Sequence, residues 1–160
     1  MAADYNRLDN QLEALIGSET DLLAMSANMV RLLFAEICDI NWLGLYLLRG
    51  DELVLGPFQG NPACVRIPLG QGVCGSAAKH AKTIRTDDVH AFEGHIACDP
   101  ASRSEIVVPL LAGGKVFAVL DIDSPRKARF SSEDQVGIEK LCLRFVQGLA
   151  ALKSDFNEFI

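Results

Sequence analysis

The chain has 160 residues, of which 49% are apolar and 22% charged, and its 15 basic against 21 acidic side chains give a formal charge of −6. That is material for one packed domain over residues 1–160 with little left for a second core, and the composition excludes disorder. Without any local run of Lys or Arg, the acidic balance argues against nucleic acid and anionic membrane as partners.

The opening MAADYNRLDN lacks the basic region and apolar stretch of a leader. No apolar run nears the roughly 18 residues of a membrane span, so a cytoplasmic location is expected. Five cysteines, an odd number in a chain large enough to need no covalent staples, argue for reduced thiols with individual roles.

In chain order, apolar residues from Leu8 to Ile16, and then Leu22, Leu23, Met25, Val30, Leu33 and Ile37, recur at helical spacing and predict two helices. Ser18 and Thr20 are the capping candidates between them. Trp42 to Leu48 and Leu53 to Phe58 read as strands joined by the hairpin signal RGDE. A short strand follows at Cys64 to Ile67, a short helix at Val73 to His80 and a strand at Thr83 to Thr86. Residues Asp87 to Arg103 show neither period, and an irregular stretch of that length inside a domain is more often functional than accidental. Beyond it, Glu105 to Leu111 and Val116 to Ile122 flank a second hairpin signal, AGGK. Ser132, with Gln135 three residues on, is expected to open a last helix whose apolar face is Ile138, Leu141, Cys142, Phe145 and Leu149. Hairpin-linked strands framed by terminal helices indicate an α+β domain with a six-stranded, mostly antiparallel sheet.

The cysteines separate by neighbourhood. Cys142 lies on the apolar stripe of the last helix and Cys38 near the end of the second, so both are expected to fill core. Cys64, Cys74 and Cys98 sit at a strand end, a helix start and in the irregular stretch, where reactive thiols occur. The helix start should favour the Cys74 thiolate. Cys98 has His95 three residues before it, and beside it is Asp99, which opposes thiolate formation. A zinc set of these three cysteines with His95 is disfavoured, because the spacings contain no paired C-x₂-C knuckle. The run from Gly70 to Gly75 matches G-x-G-x-x-G formally. The helix after it is too short and the later strands pair by hairpins, so glycines serving a tight turn are the better reading. Nucleophile-elbow, Walker and H-E-x-x-H motifs are missing.

Asp121 and Asp123 flank Ile122 and therefore share one strand face. The AGGK turn brings Glu105 beside them, so three acids should converge below the segment carrying Cys98. Such a cluster either stays solvated or shifts its pKa values.

NWLGLYLL, LVLGPFQGNPACVRI, GQGVCGSAA, DVHAFEGHIACD, SEIVVPL and VLDIDSP together resemble the motif series of the GAF-fold free methionine-(R)-sulfoxide reductases, from about Asn41 to Phe130 and the helix beyond. The resemblance implies a GAF-like fold and a cytosolic enzyme that reduces the R-sulfoxide of free methionine. It implies no bound cofactor or metal, and thioredoxin, itself reduced by NADPH through thioredoxin reductase, as the reductant. It implies Cys98 as nucleophile, Cys64 as resolving thiol, Cys74 as a second recycling thiol, and a homodimer. Trp42 and Tyr46 match the aromatic positions of the substrate pocket, and Glu105, Asp121 and Asp123 match its acidic cluster. Two departures stand out: Glu93 where proline is expected, which should loosen the Cys98 segment, and Phe117-Ala118 where glycine is common.

That chemistry agrees with the residues. A sulfoxide oxygen leaves only when protonated, and clustered carboxylates can retain a proton for it. The other carboxylates would bind the ammonium of a free amino acid. A nearby thiol would condense the resulting sulfenic acid to a disulfide that thioredoxin opens. The competing readings are a small-molecule sensor and a thiol peroxide sensor, the latter needing neither Trp42 nor the acids.

Overall fold

The structure, a computed structural model, describes residues 3–94, 96 and 98–150. Helix α1 (Tyr5–Ile16) is capped by Asp4, whose side chain accepts from Arg7 N–H, and α2 (Leu22–Glu36) by Asp21, which accepts from Ala24 N–H. The α2 cap is thus Asp21 rather than Ser18 or Thr20, since only Asp21 stands immediately before the first helical turn. Strands β1 (Trp42–Arg49), β2 (Glu52–Gln59) and β3 (Arg66–Pro68) follow. Helix α3 (Gly72–His80) leads to β4 (Ile84–Thr86), and β5 (Ser104–Ala112), β6 (Lys115–Ser124) and α4 (Ser132–Ala150) complete the chain. The sheet runs β3-β2-β1-β6-β5-β4, and every pairing is antiparallel.

Most expected elements are present, with ends displaced by a residue or two. The start of α1 is the exception, at Tyr5 rather than Leu8, and β3 starts two residues late, so Cys64 precedes it instead of opening it. Within Asp87 to Arg103 the one regular feature among the described residues is a 3₁₀ turn at Val89–Ala91. The AGGK hairpin works because Gly113 and Gly114 both take positive φ, 57° and 78°. The α4 capping box lies one residue earlier than expected. Ser131 Oγ accepts from Asp134 N–H at 3.1 Å, and Asp134 Oδ2 accepts from Ser131 N–H at 2.9 Å.

Strand alternation divides the core in two. Leu43, Leu45, Ile106, Val108, Leu120 and Ile122 face α1, α2 and α4 in one apolar cluster. Trp42, Tyr46, Val107 and Val119 point to the opposite side, where they pack with Cys74 and Ala77 of α3. Cys142 is buried in the first cluster as expected. Cys38 is exposed, against expectation, because α2 ends at Glu36 and the helical stripe ends with it.

Candidate active site

The α3 side of the sheet holds the candidate site. On β6, Asp121 and Asp123 alternate with core residues, and the β5 register sets Glu105 opposite Asp123 and Val107 opposite Asp121. The β5–β6 hairpin therefore brings all three acids under the segment carrying Cys98. They line a cavity with Cys74, Cys98, Asp99 and Ser102. The cavity is small, about 30 Å³, room for roughly one or two waters.

Glycines shape its rim. Gly70 and Gly72 take positive φ, 87° and 61°, and a Cβ on Gly75 would meet the Pro68 carbonyl oxygen at 2.4 Å. The Gly70–Gly75 run is thus a tight strand-to-helix turn, and Gly72 lets Ile96 close over α3.

The electrostatics are those of charge kept out of water. Glu105 and Asp121 are each 6% exposed. Burial first, and then the neighbouring Asp121 and Asp123 charges, hold Glu105 well above the usual carboxylate range. Burial pushes Asp121 up to about 7. Asp123, half-buried, is raised by desolvation and by the charges of Asp121 and Asp99. Near neutral pH the cluster therefore retains protons. Cys74 donates its thiol to Glu105 Oε1 at 3.8 Å. Burial and the acids push that thiol well up, which corrects the expectation of a favoured thiolate. It does sit in the first turn of α3, but complete burial beside like charges outweighs the helix-terminal field.

Cys64 and Cys98 form a disulfide with Cα atoms 5.4 Å apart, which leaves Cys38, Cys74 and Cys142 as free thiols. Asp99 Oδ2 accepts from Asn41 Nδ2 at 3.2 Å and from Asn61 Nδ2 at 3.4 Å, and Asn41 also donates to Ser102 Oγ. These bonds fix the Cys98 segment to the ends of β1 and β2. The sequence reading missed Asn41 and Asn61, because amides before and after strands look like ordinary turn residues.

Trp42 and Tyr46 are buried on the same side without lining the cavity. Trp42 stacks between Tyr46 and Phe58, with centroids 5.8 and 5.6 Å away, and its Nε1 donates to the Asn61 carbonyl. The Tyr46 hydroxyl donates to the Cys64 carbonyl at 2.9 Å. Both aromatics thus brace the segment that carries Cys64. His95 lies outside the described residues, and Glu93 is exposed beside Gly94, which takes a positive φ.

The GAF domain model matches residues 21–152. The chain is 49% identical over 155 residues to the free methionine-R-sulfoxide reductase of Escherichia coli (strain K12), covering 97% of this chain and 93% of that protein. The chain belongs to the GAF-fold free methionine-R-sulfoxide reductase family. Solved structures agree with that placement. The fRMsr of Staphylococcus aureus in complex with substrate superposes with a TM-score of 0.89 at 45% identity, over 93% of this chain and 97% of that one. The free methionine-R-sulfoxide reductase from Neisseria meningitidis in complex with its substrate gives 0.89 at 41%, over 93% and 90%.

Proposed function

We propose that this single-domain protein reduces free methionine-R-sulfoxide to methionine, with Cys98 as nucleophile and Cys64 as resolving thiol. The observation that carries the reading is the cavity itself, where a cysteine already joined to a partner stands over clustered carboxyl groups whose burial favours their protonated forms. In the reduced protein the Cys98 thiolate attacks the sulfoxide sulfur while an acid of the cluster protonates the departing oxygen. That protonated oxygen passes to the Cys98 sulfur as the bond between the Cys98 and methionine sulfurs breaks, so methionine leaves and Cys98 is left as sulfenic acid. The Cys64 thiol attacks that sulfur, water departs, and the disulfide forms. The dithiol of thioredoxin then takes the oxidation by exchange, restores both thiols and is itself reduced at the expense of NADPH. No metal or bound cofactor enters these steps.

Whichever of Glu105, Asp121 and Asp123 does not hold the proton binds the substrate ammonium as a carboxylate, and a methionine within a peptide does not present that ammonium. Trp42 and Tyr46 back the pocket that the substrate enters. In the disulfide form the cavity is too small for an amino acid, so substrate binding requires the Cys98 segment to move outward on reduction. Cys74, sealed and protonated, has no role in the first disulfide and is left as a later recycling thiol. Among the described residues no helix is long and apolar enough to cross a membrane. We place the enzyme in the cytoplasm, as a homodimer.

The test is NADPH consumption coupled through thioredoxin reductase and thioredoxin. The expected result is turnover of the free R epimer alone, with the S epimer and an N-acetylated sulfoxide inert. Folded, reduced protein inactive on both epimers would move the reading to a ligand sensor.

A further inference from the structure

We propose that the floor of the cavity is a zinc site, in which the Cys74 thiolate and the carboxylates of Glu105 and Asp121 hold one Zn²⁺ ion. One ligand atom from each residue lies within 4.8 Å of the others, and all three residues are buried. Cys74 Sγ and Glu105 Oε1 are 3.8 Å apart. Tetrahedral zinc, with bonds of about 2.3 Å to sulfur and about 2.0 Å to oxygen, sets those atoms roughly 3.5 Å apart, so the side chains need only a small closing movement.

A second observation points to a ligand independently of that clustering. Asp121 is 6% exposed and lines the cavity, and its Oδ1 is buried with no hydrogen-bond partner. A buried acceptor without a donor is costly, and a cation satisfies it. None of the described residues lining the cavity is Lys, Arg or His, so among them the negative charge meets only protons. A volume of about 30 Å³ admits an ion and excludes an amino acid. One thiolate among oxygen donors selects zinc over magnesium or calcium, and leaves the fourth position to water. Binding displaces the Cys74 thiol proton, so affinity rises with pH. This set differs from the Cys64, Cys74, Cys98 and His95 combination that the spacing disfavoured, because it depends on acids that only the β5–β6 register brings to Cys74.

The metal occupies carboxylates assigned above to the substrate, so zinc and free methionine-R-sulfoxide exclude one another. Metal binding itself rests on the geometry alone, whereas the exclusion rests on the proposed reaction. The experiment uses oxidised protein with its Cys64–Cys98 disulfide intact and Cys38→Ser in place to remove the exposed thiol. Co²⁺ is titrated in, followed by Zn²⁺. The expected result is one Co²⁺ per chain with a thiolate-to-cobalt charge-transfer band that one equivalent of Zn²⁺ abolishes. Cys74→Ser removes the band and weakens binding by at least roughly ten-fold, and Asp121→Asn weakens binding while the band persists. Absence of metal binding, or binding without the band, overturns the proposal. Either result is read on protein with Cys74 unaltered, so a variant that fails to fold does not decide the matter. In single turnovers of reduced enzyme free of other thiols, zinc should raise the sulfoxide concentration that gives the half-maximal rate without lowering the limiting rate. A cobalt band on a protein inactive toward the sulfoxide keeps the metal site and sinks the reductase reading.

Discussion

The two faces of the sheet use the same strands for opposite purposes. Toward α1, α2 and α4, Leu43, Leu45, Ile106, Val108, Leu120 and Ile122 build a continuous apolar layer. Toward α3, one residue out of phase, Glu105, Asp121 and Asp123 sit among thiols and aromatics. Strand β6 makes the point, since Leu120 and Ile122 serve the first face and Asp121 and Asp123 the second. A slip of one residue in register would exchange them and ruin both, so the site's position is fixed by the core behind it. The apolar face carries the stability, which allows the other face to hold carboxyls that oppose it.

Breaking the chemical face should affect turnover before stability. Cys98→Ser is expected to lower kcat/KM by at least about 10³-fold while the melting temperature stays close to that of reduced wild type, since only one sulfur is changed. Glu105→Gln should lower kcat/KM by about 10²–10⁴-fold, the usual range for a lost proton-transfer group, and leave stability nearly unchanged at neutral pH because a neutral amide of the same shape replaces a buried, protonated carboxyl. The apolar face should behave in the opposite way. Leu141→Ala, at a fully buried α4 position, is expected to cost about 2–5 kcal/mol in denaturant unfolding with activity per folded molecule preserved.

A pH series sharpens the contrast. Asp121 has a folded-state pKa of about 7, above the unfolded value of about 3.9. The folded chain therefore binds the extra proton between those values. The stability this supplies is complete below about pH 4 and is lost as pH rises through about 7. Asp121→Asn should flatten the fall in melting temperature across that window, and an unchanged slope would refute the assignment. The smallest effect is expected at the edge of the apolar face, where Ser131→Ala removes half of the α4 capping box and costs about 1 kcal/mol by chemical denaturation.

Elements with strong local signals were legible in the sequence. The AGGK glycines dictated their hairpin, and that hairpin is why the meeting of Glu105 with Asp121 and Asp123 could be foreseen before any coordinates. Helix ends were less legible, because Ser18, Thr20 and Ser132 are all competent caps and only packing selects Asp21 and Ser131. Cys38 and Cys74 were misread for a related reason. One falls just beyond a helix whose end was not visible, and the other meets acids supplied by strands far along the chain. The bonds from Asn41 and Asn61 to Asp99 likewise depend on long-range closure that local pattern does not encode.

The central claim is that Cys98 takes the sulfoxide oxygen and Cys64 resolves it, over acids that hold the proton. It is tested most directly by a single turnover. Fully reduced protein is mixed with one equivalent of free methionine-R-sulfoxide in the absence of any reductant, and methionine and the disulfide map are measured together. The account predicts one methionine per chain, a Cys64–Cys98 disulfide and a free Cys74 thiol. Unconsumed sulfoxide, or a first disulfide that contains Cys74, would contradict it.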